Sequence, residues 1–302
     1  MSKVVIIPAG QWGTALAVPL RDNGRDVVLW QKRAKMEAIA NVEFLILAPP
    51  SAIFREIAAD VLPKLSPHTI VISVTKGLED ASLMRTSQIV EELSPHHARK
   101  FTVLSGPSFA GEVSQRKPTA VVAASHSSEA SEKVQRLFCT ENFRVYRTKD
   151  VIGVELGGML KNIVALAAGI SDGMGCGDNA RAALITRGFR EMVILARAEG
   201  AREQTLRGLS GIGDLILTCT SVKSRNYSTG FSIGRSGSVG RKRGITVEGI
   251  RNAQLVLKLS ERNRLDLPLF SQIAKVVAGE RSPQTALKEL MTRSVKDEDL
   301  IF

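Results

Sequence analysis

The chain has 302 residues, a length that favours two domains over a single hydrophobic core. Its 44% hydrophobic and 24% charged residues are typical of a globular protein, and its 5% aromatic content favours aliphatic cores over a β-sandwich. The net charge of +11 fits either a nucleic acid or a small anionic ligand. Because the basic residues are scattered and lack interleaved aromatic side chains, no nucleic-acid partner is expected.

Cysteine and histidine usage argues against a disulfide framework and against a metal site. Cys139, Cys176 and Cys219 are far apart, and none of the four histidines has a partner at metal-ligand spacing. The N-terminal segment lacks the long apolar region of a secretory signal, and no apolar run approaches the roughly eighteen residues of a membrane span. We therefore expect a cytoplasmic protein without stable membrane insertion.

The first half of the chain alternates short β-rich runs with helical patterns. Strands are predicted at residues 4–7, 27–30, 44–48, 69–74, 101–105, 120–124 and 143–146, and helices at 11–23, 53–65 and 81–93. This alternation predicts an α/β Rossmann-type domain, with a mostly parallel, doubly wound sheet covered by helices. We assign this domain to residues 1–149.

After residue 149 long helical patterns replace the strand runs. They cover residues 151–166, 179–199 and 248–263 and predict an all-α second domain at residues 150–302. The stretch 221–245 is rich in serine, glycine and basic residues and is predicted to be a loop.

The turn after the first strand carries part of a dinucleotide-binding pattern. In Gly-x-Gly-x-x-Gly, the second glycine lets the backbone approach a pyrophosphate and the third lets the helix pack closely on the strand. Gly10 and Gly13 occupy these two positions and enclose Gln11 and Trp12, whereas Pro8 occupies the first position and cannot adopt a positive φ. The terminal strand and the helix start that flank the turn favour a dinucleotide site over an ordinary strand–helix turn.

The end of the second strand indicates which nicotinamide cofactor the turn accepts. An acidic residue there binds the ribose 2′-hydroxyl of NAD, whereas basic residues accommodate the 2′-phosphate of NADP. Lys32 and Arg33 follow the strand, and the first acidic residue is Glu37. The sequence therefore favours NADP(H), or the use of both NADP(H) and NAD(H).

Several polar peptides further along the chain are much more specific. They are SVTKGLE at 73–79, SGPSFA at 105–110, ELGG at 155–158, KN at 161–162, GDNARAA at 177–183, GIGDL at 211–215, TCTS at 218–221 and SRN at 224–226. In this order and spacing the chain resembles bacterial NAD(P)-dependent glycerol-3-phosphate dehydrogenase over about residues 3–290. The resemblance implies hydride transfer between a nicotinamide cofactor and dihydroxyacetone phosphate or glycerol 3-phosphate, an oxidoreductase activity that supplies phospholipid synthesis.

The resemblance also implies roles for individual residues and, we expect, a homodimer. The catalytic group would be Lys161 as acid or base, with Lys76, Asp214 and Asn162. The substrate would contact Lys76, Gly106, Ser108, Lys161, Asp214, Thr218, Ser224, Arg225 and Asn226. The cofactor would contact Gly10, Gln11, Trp12, Gly13, Lys32, Arg33, Lys76, Ala110, Arg225, Thr246 and Glu248.

The chemistry of these residue types agrees with such roles. Reduction of a ketone by hydride builds negative charge on oxygen, so a cationic donor such as Lys161 should point at that oxygen. Arg225 offers a planar fork for a phosphate, and Asn226 adds neutral donors. Taken singly, a lysine is usually a surface residue and an aspartate before an apolar run is often a helix cap. Their joint occurrence in order favours the functional interpretation.

Two other functions stay open on the sequence. A reductase of the same two-domain type that acts on another hydroxy or keto acid would share Lys161 and Asn162 without needing Arg225 and Asn226. A non-catalytic nucleotide-sensing module would explain Pro8, although the retained lysines argue against it.

Two stretches, residues 33–43 and 234–246, are shorter than the family pattern, and Thr246 stands where the family usually has valine. Either the printed sequence omits segments of the natural chain, or the chain is truly shortened and its cofactor binding is impaired. The intact mass decides between them. A value of 32.7 kDa would exclude the omission, and a larger value would exclude the shortening.

Overall fold

The computed structural model describes residues 3–30, 39, 41–238, 247–294 and 297. The chain divides into two compact units. The first unit contains Met1–Glu155 and Gly208–Ser210, and the second contains Leu156–Arg207 and Gly211–Phe302. The predicted domain boundary at residue 149 lies immediately before the helix in which this division falls.

The described part of the first unit contains one seven-stranded sheet. The strands are β1 (Lys3–Ile7), β2 (Asp26–Leu29), β3 (Phe44–Leu47), β4 (Ile70–Ser73), β5 (Thr102–Ser105), β6 (Thr119–Ala124) and β7 (Phe143–Thr148). They lie in the order β2-β1-β3-β4-β5-β6-β7. Every neighbouring pair is parallel except β5 and β6. The prediction of a mostly parallel, Rossmann-type sheet is therefore confirmed.

Helices cover both faces of this sheet. They are α1 (Gln11–Asp22), α2 (Phe54–Val61), α3 (Thr86–Leu93), α4 (Pro95–Ala98), α5 (Ala110–Ser114) and α6 (Ser128–Phe138). A hydrophobic core lies on each face of the sheet, and successive residues of β1 point into opposite cores. Val4 and Ile6 pack with Leu16 of α1, whereas Val5 packs with Phe54 of α2. Burial on both faces explains why β1, β3 and β4 are continuous apolar runs.

Among the described residues, β2 is the strand at one edge of the sheet. In the doubly wound order 3-2-1-4-5-6, a further parallel strand lies outside β2. Of residues 30–43, which connect β2 to β3, the structure describes only 30, 39 and 41–43.

Two predicted helices of the first unit differ from the structure. The helix predicted at 81–93 begins only at Thr86, because residues 79–84 form a turn in which Leu83 adopts a positive φ of 60°. The helix predicted at 53–65 is confined to α2, with 3₁₀ turns at Ser51–Ile53 and Leu62–Lys64. Helix α6 is absent from the sequence prediction, although Ser127 caps it by accepting the backbone N–H of Ala130.

The second unit is built from helices. They are α7 (Val151–Gly173), α8 (Gly177–Ala198), α9 (Glu203–Leu206), α10 (Asp214–Cys219), α11 (Arg225–Ser236), α12 (Glu248–Arg262), α13 (Pro268–Val277) and α14 (Pro283–Met291). Helix α7 begins in the first unit, and a π-helical turn at Leu209–Gly213 precedes α10. The prediction of an all-α part after the sheet is confirmed.

Among the described residues, only α7 is long and apolar enough to cross a membrane. Buried residues make up 94% of its most apolar window. The buried core helix of a protein passes the same test of length and composition.

Helix α11 corrects the prediction of a loop across 221–245. It packs on α7 through four glycines, Gly169 and Gly173 on α7 and Gly230 and Gly234 on α11, which we call the glycine contact. A Cβ atom on Gly230 would lie 2.1 Å from the carbonyl oxygen of Leu166. Glycine and serine have low helix propensity, but this backbone-to-backbone packing overrides it.

Replacing Gly230 by alanine should therefore destabilise the protein. The added methyl group must displace the backbone of α7, which costs about 2–3 kcal/mol or more. We expect the Tm to fall by several degrees. Gly111→Ala is the matched control, because a Cβ atom on this helical glycine meets nothing within 4 Å. Equal Tm values for the two variants would contradict the importance of the glycine contact.

A buried carboxylate caps α13 from a neighbouring helix. Glu191 of α8 accepts the backbone N–H groups of Leu269 at 2.7 Å and Phe270 at 2.9 Å. Burial raises the pKa of Glu191 to about 7, although these two hydrogen bonds oppose the rise. The folded protein therefore holds this proton more tightly than the unfolded chain does.

The raised pKa predicts a pH-dependent stability. The raised pKa of Glu191 adds to the free energy of unfolding. This addition is complete below about pH 4.5, the ordinary pKa of glutamate, and is lost as the pH rises through about 7. Glu191→Gln should flatten the dependence of Tm on pH between 5 and 7.5, because glutamine does not titrate. The same slope in the wild type and the variant would place this pKa near its ordinary value.

Candidate active site

A buried lysine and a buried aspartate form an ion pair in the second unit. The Nζ atom of Lys161, on α7, donates to Oδ1 of Asp214 at 2.5 Å and to Oγ1 of Thr218 at 2.8 Å. Lys161 is 7% exposed and Asp214 is 1% exposed. Buried charges are costly unless they are paired, so this lysine is not an ordinary surface residue. Asp214 is not a helix cap either, because α10 begins after Gly213 without a side-chain cap.

The ion pair has a thiol beside it. Cys219 lies at the end of α10 and is completely buried. Burial raises its pKa to about 12, while the Lys161 ammonium opposes this rise and the Asp214 carboxylate adds to it. The thiol therefore stays protonated at neutral pH and is not a nucleophile.

A network of two asparagines and a glutamate joins three helices of the second unit. The Nδ2 atom of Asn226 donates to Oδ1 of Asn162 at 2.9 Å. The N–H of Gly249, in α12, donates to Oδ1 of Asn226 at 2.9 Å, which fixes the orientation of that amide. Asn162 in turn donates to Glu248 at 3.4 Å. Three residues predicted for the site, Asn162, Asn226 and Glu248, are thus brought together.

Arg225 occupies the first position of α11. The hydroxyl of Ser224 caps this helix by accepting the N–H of Tyr227. Arg225 is exposed, and among the described residues it has no ion-pair partner in the protein. Arg225 is thus an exposed arginine in the first turn of a twelve-residue helix, and a cationic fork near helix N-terminal amides suits an anion.

The start of α11 is held by residues that sequence reasoning did not assign. The hydroxyl of Tyr227 donates to Asp172 at 2.5 Å, and Arg181 forms an ion pair with the same carboxylate at 2.6 Å. Asp172 lies in the last turn of α7, and Arg181 lies in the GDNARAA peptide of α8. The GDNARAA peptide could have pointed to Arg181 from the sequence alone. Its pairing with Asp172 could not be predicted, because it depends on how the helices pack.

The predicted phosphate turn of the first unit lies between β1 and α1. Gly10 precedes α1, and a Cβ atom there would meet nothing within 4 Å. A Cβ atom on Gly13 would lie 2.7 Å from the carbonyl oxygen of Pro8, whose peptide bond with Ile7 is cis. Gln11 is exposed and Trp12 is half-buried against the core. Since the first turn of α1 contains no acidic residue, its N-terminal amides suit a pyrophosphate.

Other predicted residues follow β4 and β5 at the same edge of the sheet, because the carboxyl ends of parallel strands meet there. Lys76 follows Thr75, whose hydroxyl donates to the carbonyl oxygen of Pro49 at 2.7 Å. Gly106 has a φ of 148°, and a Cβ atom on it would lie 2.9 Å from Cα of Val121. Two further predicted residues lie nearby in the chain: Ser108 donates to the carbonyl of Gly106 at 3.0 Å, and Ala110 begins α5.

Three predicted cofactor residues, Lys32, Arg33 and Thr246, lie outside the described residues. Among the residues that are described, no group of three histidine, cysteine, aspartate or glutamate side chains is placed to hold a metal ion.

Comparisons with known proteins match both halves of the chain. The model of the NAD-dependent glycerol-3-phosphate dehydrogenase N-terminus matches residues 3–37 and 35–131, and that of the C-terminus matches residues 150–288. The glycerol-3-phosphate dehydrogenase [NAD(P)+] of Bacillus velezensis is 41% identical over 327 residues, covering 97% of this chain and 95% of its own length. Because the alignment exceeds the 302 residues of this chain, the relative contains residues that this chain lacks.

A relative from Geobacter sulfurreducens with the same name is 40% identical over 98% of both chains. The crystal structure of glycerol-3-phosphate dehydrogenase from Coxiella burnetii superposes with a TM-score of 0.88 at 34% identity, covering 97% of this chain and 99% of the other.

The sheet and the helical unit that follows it place the chain among the dinucleotide-binding oxidoreductases with a helical second part. Within that class, the chain belongs to the NAD-dependent glycerol-3-phosphate dehydrogenase family.

Proposed function

We propose that the protein interconverts dihydroxyacetone phosphate and sn-glycerol 3-phosphate by hydride transfer with NAD(P)(H), and so supplies glycerol 3-phosphate for phospholipid synthesis. The observation that carries this proposal is the buried pair of Lys161 and Asp214, in a chain 41% identical to a glycerol-3-phosphate dehydrogenase [NAD(P)+]. When bound, the nicotinamide donates or accepts the hydride at the reacting carbon.

Lys161 is the proposed acid or base at the substrate oxygen. Its ammonium group donates a hydrogen bond, and then a proton, to the oxygen on which negative charge develops during reduction. Asp214 balances the charge of the buried ammonium, and Thr218 fixes its direction through a second hydrogen bond. Asn162 is proposed to act beside Lys161, since its amide is already oriented by Asn226.

Arg225 is the proposed anchor of the substrate phosphate. Its exposed guanidinium and the N-terminal amides of α11 present donors together, and the planar fork matches two phosphate oxygens. We assign further substrate contacts to Lys76, Gly106, Ser108, Thr218, Ser224 and Asn226. The hydroxyl of Ser224 already caps α11, so its backbone is the better candidate for such a contact.

The first unit supplies most of the proposed cofactor residues. The pyrophosphate is assigned to Gly10, Gln11, Trp12 and Gly13 at the start of α1. Lys32 and Arg33 are assigned to the 2′-phosphate, so measurable NADPH affinity is expected, with NADH used comparably or less well. The remaining cofactor contacts are assigned to Lys76, Ala110, Arg225, Thr246 and Glu248.

The experiment is a spectrophotometric assay with dihydroxyacetone phosphate and either NADPH or NADH. Oxidation of the cofactor that depends on this substrate supports the proposal. Activity confined to a keto acid without phosphate would favour the reductase alternative. Binding of NADPH without turnover of either substrate would favour a sensing module.

A cytoplasmic homodimer that binds a small phosphorylated substrate is proposed as the working form of the enzyme. Sedimentation equilibrium at twice the chain mass would support the dimer, and the mass of a single chain would contradict it.

Lys161→Ala should lower kcat by about a hundredfold or more, the range typical of losing a general acid or base. Binding of NADPH, measured by titration calorimetry, should be nearly unchanged. Because the substitution leaves Asp214 buried without its cation, circular dichroism must first show that the variant is folded. A kcat within a few-fold of the wild type would remove Lys161 from the catalytic role.

Arg225→Lys should raise the KM for dihydroxyacetone phosphate strongly, because a point ammonium cannot replace a bidentate fork. Arg235→Lys is the matched control, since Arg235 lies in the last turn of the same helix. An unchanged KM for Arg225→Lys would place the phosphate elsewhere.

A further inference from the structure

The carboxylate of Glu155 accepts four hydrogen bonds from the start of α3 and from the residue before it. Glu155 belongs to α7, is buried, and is the last residue of the main segment of the first unit. Its Oε1 atom accepts from Oγ1 of Thr86 at 2.6 Å and from the backbone N–H of Ser87 at 2.8 Å. Its Oε2 atom accepts from Arg85 at 3.0 Å and from Oγ of Ser87 at 2.6 Å.

These four bonds use all the acceptor positions that a carboxylate offers. One of them, from the backbone N–H of Ser87, caps α3, whose first two residues are Thr86 and Ser87. The residue before this helix is Arg85, whose side chain has no acceptor for the N-terminal amides. Glu155 therefore supplies, from α7, the oxygen that a serine or aspartate cap would normally provide.

The segment before α3 is fixed at a second point. Arg55 of α2 donates from Nε and Nη2 to the two carboxylate oxygens of Glu79, at 2.6 and 3.0 Å. This ion pair holds the pKa of Glu79 below its usual range. The backbone of Glu79 also bonds with Met84 and Leu83, closing a turn. Lys76 thus lies between β4 and a turn that is anchored to α2.

We propose that Glu155 is a positioning residue that sets the place of the Lys76 segment relative to the start of α7. This inference rests on the function proposed above for Lys76 and Lys161. Lys161 lies six residues beyond Glu155 on the same helix, about 9 Å along its axis. Within the first unit, this carboxylate therefore ties the first residues of α7 to the segment that runs from Lys76 to α3.

The test compares Glu155→Gln with Glu191→Gln at pH 7. Both variants replace a buried glutamate that caps a helix from another element, but Glu191 caps α13, which contains no residue proposed for the site. Glutamine turns a donor toward the donors of Arg85 and Ser87. Relative to Glu191→Gln, we expect Glu155→Gln to raise the KM for dihydroxyacetone phosphate about tenfold, lower kcat about tenfold, and raise the Kd for NADPH several-fold.

A merely structural role predicts a different result. Both variants would then lose kcat in proportion to their unfolded fraction, with KM and the NADPH Kd unchanged, and this outcome would overturn the proposal. If Glu155→Gln does not fold, Ser87→Ala removes a single bond to the carboxylate. It should raise KM two- to threefold, and an unchanged KM would again overturn the proposal.

The Kd for NADPH, measured by fluorescence titration, separates this proposal from the proposed function. If the wild type does not turn over dihydroxyacetone phosphate, the proposed function fails by itself. A weaker NADPH affinity in Glu155→Gln, and not in Glu191→Gln, would still support the positioning role. Equal affinities in the two variants would contradict it.

Discussion

The backbone contact between α7 and α11 is the constraint on which the second unit depends. Four glycines let these helices approach until a Cβ atom would lie 2.0–2.3 Å from a carbonyl oxygen. Only at this separation do short side chains such as Asn162 and Asn226 meet directly across the helices. The same packing carries Arg225, at the first position of α11, to its place beside the asparagines. The close packing of the four glycines thus determines where the polar residues of the two helices lie.

Charge burial follows one rule throughout the protein. The ammonium of Lys161 has a carboxylate and a hydroxyl as partners, and Glu155 and Glu191 are each met by the amides of a helix N-terminus. These fixed partners oppose the cost of burying a charge, but they do not always cancel it. Burial raises the pKa of Glu191 to about 7 despite its two amide donors, and it raises the pKa of the Cys219 thiol to about 12.

The sequence predicted those elements in which local pattern and tertiary packing agree. β1, β3 and β4 are buried on both faces, so their apolar runs were unambiguous. Helix α11 was not predictable, because its glycines and serines disfavour a helix until α7 covers them. The late start of α3 follows the turn at residues 79–84, and the carboxylate that caps this helix comes from Glu155, 68 residues after Ser87. Likewise, the motifs suggested Lys161, Asp214 and Thr218 as site residues, but the hydrogen bonds that Lys161 donates to the other two are visible only in the fold.

The order of the strands determines where a sheet of this kind can change in length. Strands β2 and β3 flank β1 on its two sides, and both pair with it in continuous register. A strand outside β2 would touch only β2, so it can be gained or lost together with both of its connections while every remaining pair keeps its alignment. Removal of a central strand would instead separate the two halves of the sheet. We therefore expect evolution to insert or delete strands at the edge of such a sheet. Each change would add or remove a whole strand together with its two crossovers, rather than single residues.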